Sequence, residues 1–297
     1  MFKNYFKIAW RNLLRNKGFS ITNILGLTIG MACTIFILLW VYDELNYDRF
    51  QKNYDNIYQV IANRDFNNQV FTDRSMAMPL ASALENSSPQ IKHAVVTTHQ
   101  QSHIITIGDI KLKLKSYTVS ADYFKMFTYK FIKGSVVTAI PDAYSIVLTK
   151  SAAKALFGDA DPINKVVKVD NDYNAKISAV IEDVPGNSTL QFDYIDAFNY
   201  NNPDTKASMN EWINSSWNVF IQTVPNADTA LLNKNITKIK RSHAKDEISS
   251  YFVFPMNHWH LYSDFENGKN TGGMIQYVRL FSIIAIIILL IACINFM

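Results

Sequence analysis

The stretch GFSITNILGLTIGMACTIFILLWVY, residues 18–42, runs for 25 positions without a Lys, Arg, Asp, Glu or His. Its centre, residues 29–41, is almost wholly apolar. A helix crosses ~30 Å of hydrocarbon with about 20 such residues. At ~1.5 Å per residue, this run reaches roughly 37 Å, enough to span with some tilt. A second run, LFSIIAIIILLIACINFM at residues 280–297, is still apolar where the chain stops. The pattern predicts an α+β membrane protein in which two transmembrane helices flank a mixed α/β extracytoplasmic domain. The expected divisions are 1–17, a cytoplasmic interfacial helix; 18–42, the first span; 43–276, the outer domain; and 277–297, the second span.

Charge sets the expected orientation. Lys3, Lys7, Arg11, Arg15 and Lys17 stand before the first run with no acid among them, and Asp43, Glu44 and Asp48 follow it. Basic residues stay on the cytoplasmic side, so the N-terminus is expected inside and the large domain outside. The apolar run exceeds the 7–15 residues typical of a signal peptide, which favours a permanent anchor. The same basic residues define a face. Phe2, Phe6, Ala9, Trp10 and Leu13 recur at helical spacing opposite Lys3, Lys7, Arg11 and Arg15, as in a helix lying in the membrane interface. The plainer alternative is flanking charge without a defined helix.

Within the first run, Gly26 and Gly30 form a GxxxG pair, with Thr22 and Thr34 at the same spacing. Small residues on one stripe let another helix approach closely, and the hydroxyls can hydrogen-bond across. The stripe is therefore expected to pack against another span.

Composition excludes several classes of function. The formal charge of +4 owes its excess to the N-terminus and points to no nucleic-acid partner. Both cysteines, Cys33 and Cys293, lie in the apolar runs, so the outer domain has to be held by packing without disulfides. No phosphate-binding Gly-x-x-x-x-Gly-Lys-Ser/Thr, no Cys-rich zinc pattern and no Gly-x-Ser-x-Gly occurs. His99 and His103 fall on strand and turn. His258 and His260 could share one strand face, but no third ligand is in view. No catalytic residue, metal or cofactor is expected.

The outer domain reads as short strands and helices in alternation, a mixed α/β pattern. Strands are expected at 56–62, 92–100, 103–107, 110–119, 145–148, 165–169, 173–181, 217–224 and 251–254. Gly108-Asp109 and Asp170-Asn171-Asp172 mark hairpins. Helices are expected at 80–86 after Pro79, at 121–126 capped by Ser120, at 150–157 between Thr149 and Gly158, and at 228–244. Residues 199–210 read as a surface loop and 267–273 as a flexible hinge. Lys111, Lys113 and Lys115 alternate with leucines, as on a solvated edge strand.

Several stretches together resemble one family. They are FKIAWRNLLRNKGFSITNILGLTIG at 6–30, VSADYFKMFTYKFIKG at 119–134, SIVLTKSAAKALFGDADPINK at 145–165, VIEDVPGNSTLQFDY at 180–194, PMNHWHLYSD at 255–264 and IACINFM at 291–297. In this order they resemble the MacB/FtsX-like permeases of ABC transporters, in particular the long-chain type common in Bacteroidetes. The chain departs from the family pattern at Asn164, where glycine is usual; asparagine is the next-best residue for a left-handed turn. The family's four or eight spans imply that these residues are the N-terminal portion of a longer permease. The resemblance implies a bacterial inner-membrane protein with a periplasmic MacB-like core domain. It implies as partners a separate ABC ATPase subunit, a second permease copy or homologue, the lipid bilayer and a periplasmic adaptor. It also implies export or other periplasmic work driven by ATP hydrolysis elsewhere. A two-span sensor or chain-length regulator shares the layout. A sensor would continue into a signalling domain, and a regulator would show long outer heptads where this chain has short strands.

Overall fold

In the computed structural model of the protein, residues 5, 11, 15, 17–67, 69–244 and 249–296 are described. They fall into two units: residues 1–46 with 272–297, and Tyr47–Thr271. The expected interfacial helix lies mostly outside the described residues, Lys3 and Lys7 included; Arg11, Arg15 and Lys17 are helical and exposed.

The first unit is a pair of long helices, α1 (Lys17–Leu45) and its partner at the far end of the chain, Met274–Phe296. Each is long and apolar enough to cross a membrane. Most of their large apolar side chains point outward, Phe19, Phe36, Ile283 and Leu290 among them. In water such exposure would be a liability; in hydrocarbon it carries no such cost.

The second unit has a frame and an insertion. The frame runs β1 (Ile57–Phe66), β2 (Gln69–Asp73), α2 (Leu80–Ser87) and β3 (Ile91–Thr97). It resumes far along the chain and ends at Pro255. The insertion, residues 98–217, holds β4 (Gln101–Ile107), β5 (Ile110–Val119), α3 (Tyr123–Met126), β6 (Phe131–Lys133), β7 (Ser145–Thr149), α4 (Lys150–Phe157), β8 (Val166–Val169), β9 (Tyr173–Ile181), β10 (Tyr194–Ala197) and α5 (Pro203–Ser208). Then come β11 (Asn218–Thr223), α6 (Thr229–His243), β12 (Ser250–Pro255), a small hairpin of β13 (Asp264–Glu266) and β14 (Lys269–Gly272), and α7, the second long helix.

The frame's strand order is β3-β11-β1-β12, each pair antiparallel, with β2 on β1. With α2 and α6 as the crossovers, this is a split β-α-β arrangement. Its strands are apolar on both faces because both are covered. Val60, Ala62, Ala94, Val96, Val219 and Ile221 meet Leu80, Leu84, Leu232 and Ile236 of the two helices. The alternate residues Ile57, Ile61, Val95 and Phe220 meet an aromatic cluster of Tyr123, Phe124, Phe127, Tyr129, Phe192 and Trp259. In the insertion the pairings β10-β7-β9-β8-β4-β5 close on themselves, since β5 also pairs with β10 in parallel. Ile105, Leu114, Ile146, Leu148, Val167 and Ile177 fill this barrel, together with Ala152, Ala153 and Leu156 of α4.

Local chemistry fixes several ends as the sequence predicts. Thr149 Oγ1 accepts from Ala152 N–H to cap α4, and Gly158 ends it at φ +61°. Asp228, expected as the first helical residue, is instead the cap of α6, accepting from Leu231 N–H. Asn164 stands at φ +63°, the left-handed conformation its place in the family pattern requires. Other expectations change. The segment 199–210 is not all loop: Asn202 accepts from Asp204 and Thr205 N–H, and Pro203 opens α5. Ser120 does not cap α3, because its hydroxyl accepts from Val96 N–H across the sheet. The lysine strand β5 is no edge; it pairs with β4, β10 and β3, and its lysines are exposed on the outside. Within 267–273, Asn267 and Gly268, at φ +49° and +74°, turn the β13–β14 hairpin, the chemistry of an Asn-Gly turn.

Candidate functional site

The stripe in α1 divides in two. Gly30 and Thr34 are buried, and Thr22 and Gly26 are exposed. A Cβ added to Gly30 would lie 2.6 Å from Ala292 Cβ, whereas one added to Gly26 would meet nothing within 4 Å. Glycine at position 30 is thus what lets α7 approach so closely. Thr34 Oγ1 donates within its own helix to Gly30 O at 2.9 Å and lies 3.4 Å from Ala285 O of α7. Toward the other end of the pair, Trp40 meets Phe281 edge-on at 5.2 Å, and Val41 and Val278 are buried.

Two residues after α1 ends, the chain enters a collar built into the folded domain. Asp48 is buried and held at φ +60°, a conformation costing an L-residue roughly 1–2 kcal/mol. Such strain persists only where surroundings over-determine it, and here they do. Asp48 N–H donates to Asn187 O at 2.8 Å, while its carboxylate accepts from Thr189 N–H at 2.8 Å and Thr189 Oγ1 at 2.5 Å. Burial raises the Asp48 pKa, and the Thr189 hydrogen bonds offset part of that rise. Tyr47 stacks on His260, ring centres 3.5 Å apart and 5° from parallel. Gln51 Oε1 accepts from Thr128 N–H at 2.6 Å, and Asn53 Nδ2 donates to Met126 O at 3.1 Å. Residues 47–53 are therefore bolted to three separate stretches, around 126–128, 187–189 and 260. Each belongs to a segment quoted above for the family resemblance.

The collar was not legible beforehand, because Asp48 and its partner Thr189 stand 141 positions apart. The only signal was that its contacts fall in the family's segments. The histidine pairs separate. His99 Nε2 lies 3.1 Å from Ser75 Oγ, and His103 Nδ1 lies 2.5 Å from Asp170 Oδ2. His258 sits in a 3₁₀ turn rather than a strand, packed near Phe254 and Tyr262, and burial lowers the His258 pKa, while His260 takes Tyr47. A groove of about 520 Å³ opens beside α2, floored by Met78, Ala94 and Val96, with Trp212 and Tyr200 from the insertion on its far side.

A family model, MacB-like periplasmic core domain, matches residues 20–239. A solved domain of a Porphyromonas gingivalis protein named as a permease aligns with a TM-score of 0.60 at 19% identity, covering 77% of this chain and 99% of that one. The periplasmic region of MacB from Actinobacillus actinomycetemcomitans aligns at 0.49 and 16%, covering 69% and 91%. The extracellular domain of the noncanonic ABC-type transporter YknZ from Gram-positive bacteria aligns at 0.50 and 14%, covering 67% and 100%. No curated protein matches the chain. The likenesses at 0.60 and 0.50 speak for the fold, and the family match spans most of the chain. The chain belongs to the MacB-like permease family and carries that family's periplasmic core domain.

Proposed function

We propose that this chain is the membrane-spanning permease subunit of an ABC transporter of the MacB/FtsX type. A separate ATPase hydrolyses ATP, the spans move, and the outer domain moves with them to drive export or other work in the periplasm. In this reading the protein lies in the bacterial inner membrane. Residues 1–17 rest on the cytoplasmic face, with Lys3, Lys7, Arg11, Arg15 and Lys17 toward anionic headgroups; 18–42 and 277–297 cross; and 43–276 stand outside. Gly30 and Thr34 hold α7, which leaves Thr22 and Gly26 for a second permease copy or a further span. The chain does no catalysis itself, and a periplasmic adaptor is a further partner.

The observation that carries this reading is a MacB-type core domain lying in the chain between two helices long and apolar enough to cross a membrane. Asp48, three residues after the last residue of α1, is held within that domain by Thr189. The test is transport per ATP hydrolysed by the assembled transporter in reconstituted membranes. Gly30→Leu and Asp48→Ala are expected to leave hydrolysis running while transport falls, and Leu38→Ile to behave as wild type. Equal coupling in all three overturns the reading.

A further inference from the structure

We propose that Glu85, His93 and Asp122 form a binding site for a divalent transition-metal ion of the zinc type, clamping the frame to the insertion. Glu85 comes from α2, His93 from β3, and Asp122 from the turn before α3. One ligand atom from each lies within 4.8 Å of the other two, and among the described residues no other group of three His, Cys, Asp or Glu converges so closely.

The elements aim these side chains together for reasons of their own. In α2, Leu80, Ala81 and Leu84 face the sheet, which puts Glu85 at the rim. In β3, His93 alternates with Ala94, which packs under the helices, and the three side chains meet at the edge of the sheet, where β3 pairs with β5 only at Thr97. Asp122 occupies the N-cap position of α3, yet its carboxylate caps nothing. It turns instead to His93 Nδ1, at 3.4 Å from Oδ2, and to Lys125 Nζ, at 2.8 Å from Oδ1.

The 3.4 Å separation is informative. It is longer than the ~2.7–2.9 Å of a charge-assisted hydrogen bond. It equals the edge, about 3.4 Å, of a tetrahedron whose metal–ligand bonds are ~2.1 Å. Glu85, exposed on a flexible side chain with a carboxylate oxygen within 4.8 Å of the other two ligand atoms, can swing in to close the third corner. An imidazole nitrogen with two carboxylates suits zinc or a neighbouring transition ion better than magnesium or calcium, which take oxygen. Lys125 holds the other Asp122 oxygen and so orients the carboxylate as an outer partner would. Two carboxylates against one lysine leave the site net negative. Glu85 and Asp122 also line the 520 Å³ groove, which supplies the path in and leaves the fourth position open.

A metal here would join α2 and β3 of the frame to the start of α3 in the insertion. The inference goes beyond the permease reading and does not depend on it.

The test uses the full chain in detergent, stripped with chelator and titrated calorimetrically with zinc chloride alone. One zinc per chain is expected, with affinity at least tenfold weaker in each of His93→Gln, Glu85→Gln and Asp122→Asn. Zinc should raise the melting temperature of the wild type but not of His93→Gln, and in chelator the two should melt alike. A wild type with no saturable zinc uptake overturns the proposal, whatever the variants do. So does wild-type affinity retained in His93→Gln, which would assign the zinc to other histidines.

Discussion

Asp196 stands on β10, two residues from Tyr194, whose side chain belongs to the barrel core. It is 7% exposed, and Tyr173 Oη donates to its Oδ2 at 3.1 Å. Burial pushes its pKa from 3.8 up to about 6, with the Tyr173 hydrogen bond offsetting part of the rise. A raised carboxyl pKa means the folded state binds the proton more tightly than the unfolded chain. Its contribution is therefore complete below the unfolded value of 3.8 and lost as pH rises through about 6. The 2.2-unit difference (6 less 3.8) corresponds to about 3 kcal/mol at most. Asp196→Asn is expected to flatten the stability profile between pH 4 and 7 and to stabilise the domain at pH 7.5. Urea unfolding of both proteins at pH 5 and 7.5 measures this. The same slope in both would place the titration elsewhere. Asp48 shares the direction and Asp161 and Asp170 oppose it, so the difference between wild type and variant is the quantity to read.

Between α1 and α7 the apolar surfaces gain little by meeting, because hydrocarbon is as apolar as they are; close packing decides the contact. That separates two glycines the sequence treats alike. Gly30→Leu must push α7 away from Ala292, whereas Gly26→Leu projects into open space within this chain. Cross-linking of a Thr34→Cys, Ala285→Cys pair, with Cys33 and Cys293 changed to serine, should slow several-fold in Gly30→Leu and hold its rate in Gly26→Leu. Equal rates would contradict the pairing drawn from Gly30. In the outer domain, two elements each turn on a pair of residues: Asn202 with Pro203 starts α5, and Asn267 with Gly268 turns a hairpin. Both signals were present in the sequence. They were outweighed by the polarity of the segments around them.

The frame and the insertion share one aromatic core. Ile57, Ile61, Val95 and Phe220 of the frame are buried against Tyr123, Phe124, Phe127 and Phe192 of the insertion. Two predictions belong to this scale. Residues 47–271 as a separate fragment should fold, melt cooperatively and be indifferent to reductant, since they contain no cysteine. The same fragment with 98–217 replaced by a short linker should not, because one whole face of the frame's sheet is then bare. Calorimetry of the two fragments decides the point: a cooperative transition in the shortened one would show that the frame stands alone.

The sequence by itself determined the two spans, the cysteine-free domain between them and most of the secondary structure. Residues 18–42 and 280–297 are too long and too apolar for most other uses. Caps and turns such as Thr149, Gly158 and Gly108-Asp109 act over a few residues and can be read locally. The tertiary structure decided the rest. The frame interrupted by a barrel depends on pairings such as Gln59 with Phe220 and Tyr194 with Ser116, which strand periodicity does not specify. The split of the small-residue stripe depended on where α7 lies, and the collar on Asp48 finding Thr189. Contacts between residues a hundred or more positions apart leave no periodic trace in either partner, so they became visible only once the chain had folded.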